Sequence, residues 1–425
     1  MLNIRWASGA ELAAVKPELF EELCSEGLPP VTALKKHLQT FCGYPRFRQR
    51  ILWQGGIVRE EDALDTLSDL QLVILSFSAT SPGEVGALIG AAALGRLEEL
   101  EELLQRPLDP NLAGGHGFTA LHASAHGGQV RATSLLLEAL AAVDQAGPDQ
   151  TTPLFMAAQN GFSEVARALL EAGADRNRDC TDVGATPMFI AAGRGNLEVV
   201  RILLEHHADP DKAQIENRAT PLLMAASKGH AEVVRLLLEA NADQDSDLTA
   251  GGVTPLLMAC VRGHTEVVRA LLDHHAEIDK PCTDDGTTPL NMACGRGHVA
   301  AARILLESGA DVNKACTDDG ATPLLRACER SHLDVIRLLL SFQADANSSL
   351  TTSGDFPLYM AAQRGEAEAA RLLLLAGADK EKATSRGATP EEAALEGEHN
   401  EVLSILAASL AELEHPSRAE PHPKE

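Results

Sequence analysis

Aromatic side chains are scarce in this chain: 2 Trp, 2 Tyr and 10 Phe among 425 residues, 3% in all. Hydrophobic residues still make up 45%, so burial has to come from Ala, Leu, Val and Met. That suits thin, closely stacked helices better than one bulky core. No run approaches the ~20 apolar residues that span a bilayer, so membrane insertion is not expected. The N-terminus, MLNIRWASGAEL, lacks the basic start and apolar core of a secretory signal. The 8 cysteines show no C-x-x-C spacing, and without an export signal the expected compartment is the cytosol or nucleus. Cations are short too: 36 Lys and Arg against 61 Asp and Glu give a formal charge of −25. Such a field repels phosphate backbones, which argues against nucleic acid and against docking on anionic lipid. Catalytic signatures are also missing. There is no GxxxxGK[ST], GxSxG, HExxH or zinc-ligand spacing, and GGHG at Gly114 is too short to cradle a phosphate. The sequence therefore predicts no catalytic residue, no cofactor and no metal.

What the chain has is a period. Pro153, Pro187, Pro221, Pro255, Pro289, Pro323 and Pro357 follow one another at 34 residues, and Pro390 follows after 33. The unit is clearest from Thr254. Thr254 caps a helix, Pro255 takes the first helical position, where its missing N–H costs nothing, and Gly263 ends the helix. Leu256, Met258 and Ala259 are expected inside. A second helix then sets Val267, Val268, Leu271 and Leu272 on one face, and a polar loop, DKPCTDDGT, returns the chain to the next Thr-Pro. One unit alone cannot bury its apolar face, so stacking is obligatory.

These motifs, TPLHxAA, GHxEVVxLLL and GAD, resemble the ankyrin-repeat family over about residues 84–413. The resemblance implies an α-solenoid with projecting loops and a protein-binding role. It covers eight recognisable units from Thr119 to Ala383, with degenerate caps at 86–106 and from Thr389 onward. The usual period is 33, so each unit carries one extra residue, expected in the loop. Only His122 keeps the family's histidine after Thr-Pro-Leu; Phe155, Phe189, Leu223, Leu257, Asn291, Leu325 and Tyr359 replace it.

Residues 1–80 stand outside the repeat. MLNIRWASGAELAAV reads as a hairpin turning at Ser8-Gly9, VTALKKHLQTFCG as a helix stopped by Gly43, and RQRILWQGG and DLQLVILSF as strands. The segment resembles ubiquitin-like domains, which implies a small α+β β-grasp fold, although the stretch from Glu18 to Pro30 is longer than the family's link. No terminal Gly-Gly is present, so conjugation is not expected. Leu52, Gly55 and Val73 match positions of the family's apolar patch, Gln71 replaces its histidine, and the hairpin leucine has no counterpart. These four residues either form a docking patch or are ordinary strand residues. Residues 414–425, Pro-rich and polar, are expected to be disordered.

A repeat turns sequence period into surface rows. Arg194, Lys228, Arg262, Arg296, Arg330 and Arg364 close the first helix of six consecutive units. Each cation either serves its own helix dipole and nearby acids, or the row reads an acidic or phosphorylated peptide along the groove. Arg167, Arg201, Arg235, Arg269, Arg303, Arg337 and Arg371 form a second row. Acids lie three residues before six of them, at the spacing of intrahelical pairs worth about 0.2–0.5 kcal/mol. His230, His264, His298 and His332 are read as braces of the inter-helix turn, since rungs ~8–10 Å apart are too distant to share an ion. Cys260, Cys294 and Cys328 read as buried spacers, and Cys180, Cys282 and Cys316 as more exposed loop residues. The loops vary most, and Asp182, Asp284, Asp285, Asp318 and Asp319 are expected at acidic tips where partner choice lies. The expected whole is a monomeric, non-enzymatic protein-binding scaffold. A ubiquitin- or proteasome-pathway adaptor is the alternative.

Overall fold

In the computed structural model, residues 2–16, 28–60, 62, 64, 67–246, 251–408 and 413 are described. They fall into two compact units, one within residues 1–191 and 205–208, the other within 192–204 and 209–425. The expected disordered tail, and all but the last three residues of the long Glu18–Pro30 link, lie outside the described residues.

The first unit opens on strands β1 (Leu2–Trp6) and β2 (Glu11–Val15). They turn at Gly9, whose φ of 90° is a left-handed conformation that a side chain resists. Helix α1 (Pro30–Cys42) stops at Gly43. Strands β3 (Gln49–Trp53), β4 (Gly56–Ile57) and β5 (Leu70–Ile74) complete a sheet of order β2-β1-β5-β3-β4. Only the β1–β5 pair is parallel. Alternation along the strands turns Leu2, Ile4, Ile51, Leu70 and Leu72 onto Val31, Leu34 and Leu38 of α1, which form the core of this head. The arrangement is consistent with a small ubiquitin-like domain.

Helix pairs follow: α2 (Pro82–Leu94) with α3 (Leu97–Gln105), α4 (Ala120–His126) with α5 (Val130–Glu138), and α6 (Pro153–Asn160) with α7 (Ser163–Glu171). Helices α8 (Pro187–Arg194) and α9 (Leu197–Glu205) give residues to both units. The second unit continues with the first helices α10 (Pro221–Lys228), α12 (Pro255–Arg262), α14 (Pro289–Gly295), α16 (Pro323–Glu329), α18 (Pro357–Arg364) and α20 (Pro390–Glu396). Their partners are α11 (Ala231–Glu239), α13 (Thr265–Asp273), α15 (Val299–Glu307), α17 (Leu333–Ser341), α19 (Ala367–Leu375) and α21 (Asn400–Ala407). Within this unit first helices pack on first helices and second on second. Leu256, Ala259, Cys260, Val267, Val268 and Leu271 are fully enclosed. Met258 and Leu272, expected inside, are only half-buried, and Leu257 and Ala270 take the enclosed places instead.

The cap works as its residues predict. Thr254 Oγ1 accepts from the Leu257 N–H at 3.2 Å, and Thr220, Thr288 and Thr322 repeat the contact. Phe356 replaces the threonine before α18; it makes no such bond and is fully buried. The turn histidines brace the preceding repeat rather than their own turn, a correction to the sequence reading. The Nε2–H groups of His230, His264, His298, His332 and His399 donate at 3.1–3.3 Å to the carbonyls of Gly193, Ser227, Val261, Gly295 and Gln363.

Candidate protein-interaction surface

The first row of cations sits where each first helix ends. Arg194, Lys228, Arg262, Arg296, Arg330 and Arg364 are all exposed, and among the described residues none of the six pairs with a carboxylate within 4.0 Å. The second row behaves differently. Arg201 and Arg371 pair with Glu198 and Glu368 on their own helices, as expected, and Arg235 with Glu232. Arg167, however, reaches Glu205 at 3.3 Å, Arg235 also approaches Glu266 at 3.7 Å, and Arg337 takes Glu368 at 3.2 Å. These bridges run between neighbouring repeats, so the second row ties units together as well as solvating a helix face. Long side chains cross one rung to a carboxylate as readily as they fold back three residues.

Most of the unpaired cations have an apolar companion on the same helix, among them Met258, which was expected in the core. Four residues before each cation stand Ile190, Met224, Met258, Met292, Arg326 and Met360, and a spacing of four puts two side chains on one helix face. Ile190 and the three methionines Met224, Met258 and Met292 are half-buried. The surface therefore alternates adaptable thioethers with free cations. Methionine refits to varied apolar partners. The signal was present in the period of the methionines, but apolar letters inside a helix read as core.

The loops are less open than their composition suggests. Asp182, Asp284 and Asp318 are exposed tips. Asp285 and Asp319 turn inward. Asp285 Oδ1 accepts from the Thr287 N–H at 2.9 Å and from the Cys282 thiol at 2.8 Å. Asp319 accepts from the Ala321 N–H at 2.9 Å and pairs with Arg326 at 2.8 Å. Burial, the largest influence, works to raise the Asp285 pKa, but these hydrogen bonds together hold it below the usual carboxylate range. Successive loops are joined by backbone bonds: Thr283 N–H to Gly251, Thr317 and Asp318 to Asp285, Thr351 to Asp319 and Ser385 to Ser353. Cys180, Cys282 and Cys316 are buried beneath these loops rather than more exposed. The Cys–backbone bond across each loop, such as Cys282 N–H to the Thr287 carbonyl at 2.9 Å, folds the thiol inward.

In the head, Leu52 lies opposite Gln71 and Arg50 opposite Val73 across the β3–β5 pair. Gln71 is exposed, and Leu52 and Val73 are half-buried. Gly55 lies in the β3–β4 turn at φ 82°. Three of the four residues thus share one outward sheet face, and the fourth closes its edge. Arg50, on the same face, donates to the Gln105 carbonyl at the end of α3 at 2.6 Å, so the repeats border the patch. Among the described residues no three His, Cys, Asp or Glu side chains gather as a metal site would, and no helix is long and apolar enough to cross a membrane.

A family model for ankyrin repeats, three copies to the model, matches residues 88–180, 175–247, 242–316, 277–349 and 308–384. Among solved structures, the human ASB11 ankyrin repeat domain is similar at 30% identity, with a TM-score of 0.47, covering 53% of this chain and 98% of that one. The ankyrin repeat domain of Bcl-3, described as a unique member of the IkappaB protein family, is also 30% identical, with a TM-score of 0.48, covering 53% of this chain and all of that domain. A comparison with curated proteins finds no match.

Proposed function

This chain belongs to the ankyrin-repeat family, and from that premise we propose that it is a non-enzymatic scaffold that grips protein partners along the cation row and at the loop tips. The observation that carries the reading is the row itself: six exposed cations without a carboxylate partner, in a chain of net charge −25. Uncompensated charge at repeating intervals suits an extended acidic segment and steers its approach. Residues 1–80 act as a head domain, residues 84–413 as the repeat domain, and the scaffold works as a monomer in the cytosol or nucleus. Reversing charge in the triple variant Arg262→Glu/Arg296→Glu/Arg330→Glu should remove a defined set of interactors from affinity-purified samples measured by mass spectrometry. An unchanged set would show that the row serves only its own helices.

A second reading rests on the face shared by Leu52, Gln71 and Val73: the head docks on receptors of the ubiquitin or proteasome pathway. Leu52→Ala should then abolish capture of such receptors by the full chain. Equal capture by both proteins would remove this reading and leave the scaffold intact.

A further inference from the structure

Within the first unit, α2, α4, α6 and the loop before α4 border a cavity of about 550 Å³. The loop is the GGHG stretch, and it is closed on itself. The Gly114 N–H donates to the Phe118 carbonyl and the Gly117 N–H to the Gly114 carbonyl, both at 2.9 Å. Gly86, Gly115, His116 and His126 line the cavity and are exposed, so it opens on the surface. No Asp, Glu, Lys or Arg is among the described residues that line it. Small side chains make the space. Counting back from Ile190 at the step of the repeat, the outward place on each first helix is held by Met156, Ala123 and Gly90, where later repeats carry Met224, Met258 and Met292. Gly86, one turn before Gly90 on α2, widens the gap. A Cβ on either glycine would meet nothing within 4 Å, and neither has a positive φ. Glycine inside a helix is less stable than alanine, so neither backbone nor packing accounts for these two.

The walls carry the rings of His116, Phe118, His122 and His126 and the thioether of Met156. His122 is fixed: its Nε2–H donates to the Thr151 carbonyl at 3.0 Å, and Nδ1 accepts from the Thr119 hydroxyl at 2.9 Å. Burial, the largest influence, lowers its pKa, so this wall is uncharged at pH 7. The Phe118 ring lies 5.6 Å from the His122 ring. His126, on the rim, is held by Asn160, whose Nδ2 donates to its Nδ1 at 3.3 Å.

We propose that this cavity anchors one aromatic side chain of a partner protein segment. Three features select that occupant. The lining offers nothing to offset the lost hydration of a charged group, so the anchor is neutral. Rings and a thioether hold another ring by edge, face and sulfur contacts that an aliphatic chain does not make. The exposed rim sets the cavity apart from pockets for free small molecules, which enclose most of their ligand's surface; it suits a side chain presented by a larger body. The proposal rests on the reading of the chain as a protein-binding scaffold and names one residue type that its partner carries.

Methionine methyl groups report on the site directly, because the chain has 7 methionines and Met156 lines the cavity. The full chain, labelled with 13C at the methionine methyls, is titrated by NMR with two Ser-Gly nonapeptides, one with tryptophan and one with leucine at its centre, and with N-acetyltryptophanamide. The tryptophan peptide should move the Met156 methyl through its ring current and leave Met258 and Met292, which are also half-buried, in place. The leucine peptide and N-acetyltryptophanamide should each bind at least fivefold more weakly. Ala123→Met, which installs the residue of later repeats, should weaken the tryptophan peptide at least tenfold. His126→Ala, on the exposed rim, should weaken it at least threefold and keeps the test decisive if Ala123→Met disturbs the fold. No shift at Met156, equal shifts at Met156, Met258 and Met292, or unchanged binding in both variants would overturn the proposal. So would a leucine peptide that binds as tightly, or N-acetyltryptophanamide binding as tightly as the peptide, which would make the cavity a site for a free small molecule. The scaffold reading is tested separately, by interactor capture with Arg262→Glu/Arg296→Glu/Arg330→Glu, and survives each of these failures.

Discussion

At the scale of single residues, the joint between repeats is a glycine facing an imidazole. Gly195, Gly229, Gly263 and Gly297 have φ between 73° and 80°, and a Cβ built on any of them would lie 2.6–2.9 Å from the nearest ring atom of His230, His264, His298 or His332. Glycine thus meets two requirements at once, a left-handed backbone and a close approach by the next repeat. The exception is consistent: Ser331 keeps the left-handed conformation at φ 59°, and the residue 35 positions on is Glu366 instead of histidine. Gly229→Ala should therefore cost more than the ~1–2 kcal/mol of a left-handed alanine, because it also displaces His264 from the Ser227 carbonyl. Removing the ring first, in His264→Ala, should leave only the backbone cost. Urea unfolding of the four proteins of this double-mutant cycle should give a coupling of about 1 kcal/mol. Additive losses would mean that ring and glycine are independent.

At the scale of the repeat element, most of the architecture was legible from local chemistry. Thr-Pro at the start of most first helices, glycine at the stop and the two spaced apolar faces are short-range signals, and all are realised in α12 and α13. Local sequence does not reveal a side chain's fate where that fate depends on a neighbouring repeat. Met258 sits in an apolar helix yet faces outward. Arg337 bonds one repeat ahead to Glu368. The loop cysteines lie among polar letters yet turn inward once each loop closes on itself. The candidate surface was legible only as a row of cations; their lack of partners is a property of packing that no period reveals. The cysteines provide the test. Burial drives the thiol of Cys328 up to about 12, and pushes those of Cys180, Cys260 and Cys294 upward as well, so thiolate is scarce at neutral pH. Iodoacetamide at pH 8 followed by peptide mapping should modify Cys42, the one half-exposed thiol among the described residues. Cys180, Cys260, Cys282, Cys294, Cys316 and Cys328 should be spared until denaturant is added. Rapid native labelling of Cys282 or Cys316 would mean that the loops open readily.

At the scale of the molecule, the question is whether the head is a tethered passenger or part of the repeat array. Within the first unit the answer lies in Arg46, whose side chain is 7% exposed. Its guanidinium reaches Glu101 on α3 at 2.7 Å and Glu138 on α5 at 2.8 Å while stacking over Phe47 at 4.1 Å. Arg50 adds its bond to the Gln105 carbonyl, and the Ser78 N–H donates to the Pro107 carbonyl at 3.1 Å. A nearly buried cation held by two carboxylates differs from a surface pair: removing it leaves two partly shielded anions facing each other, at a cost of about 2–3 kcal/mol. Both carboxylates come from second helices of successive repeats, so the clamp draws on a geometry that exists only when those repeats are stacked. The head should therefore share the stability of α3 and α5 instead of unfolding by itself. In native-state hydrogen exchange, the core amides of β3 and β5 should open with the same free energy as those of α5. Arg46→Ala should lower protection in the strands while leaving α13 and α15 unchanged. Strand amides that already exchange faster than α5 in the wild type, and do not respond to Arg46→Ala, would make the head an independent domain and the clamp a surface contact.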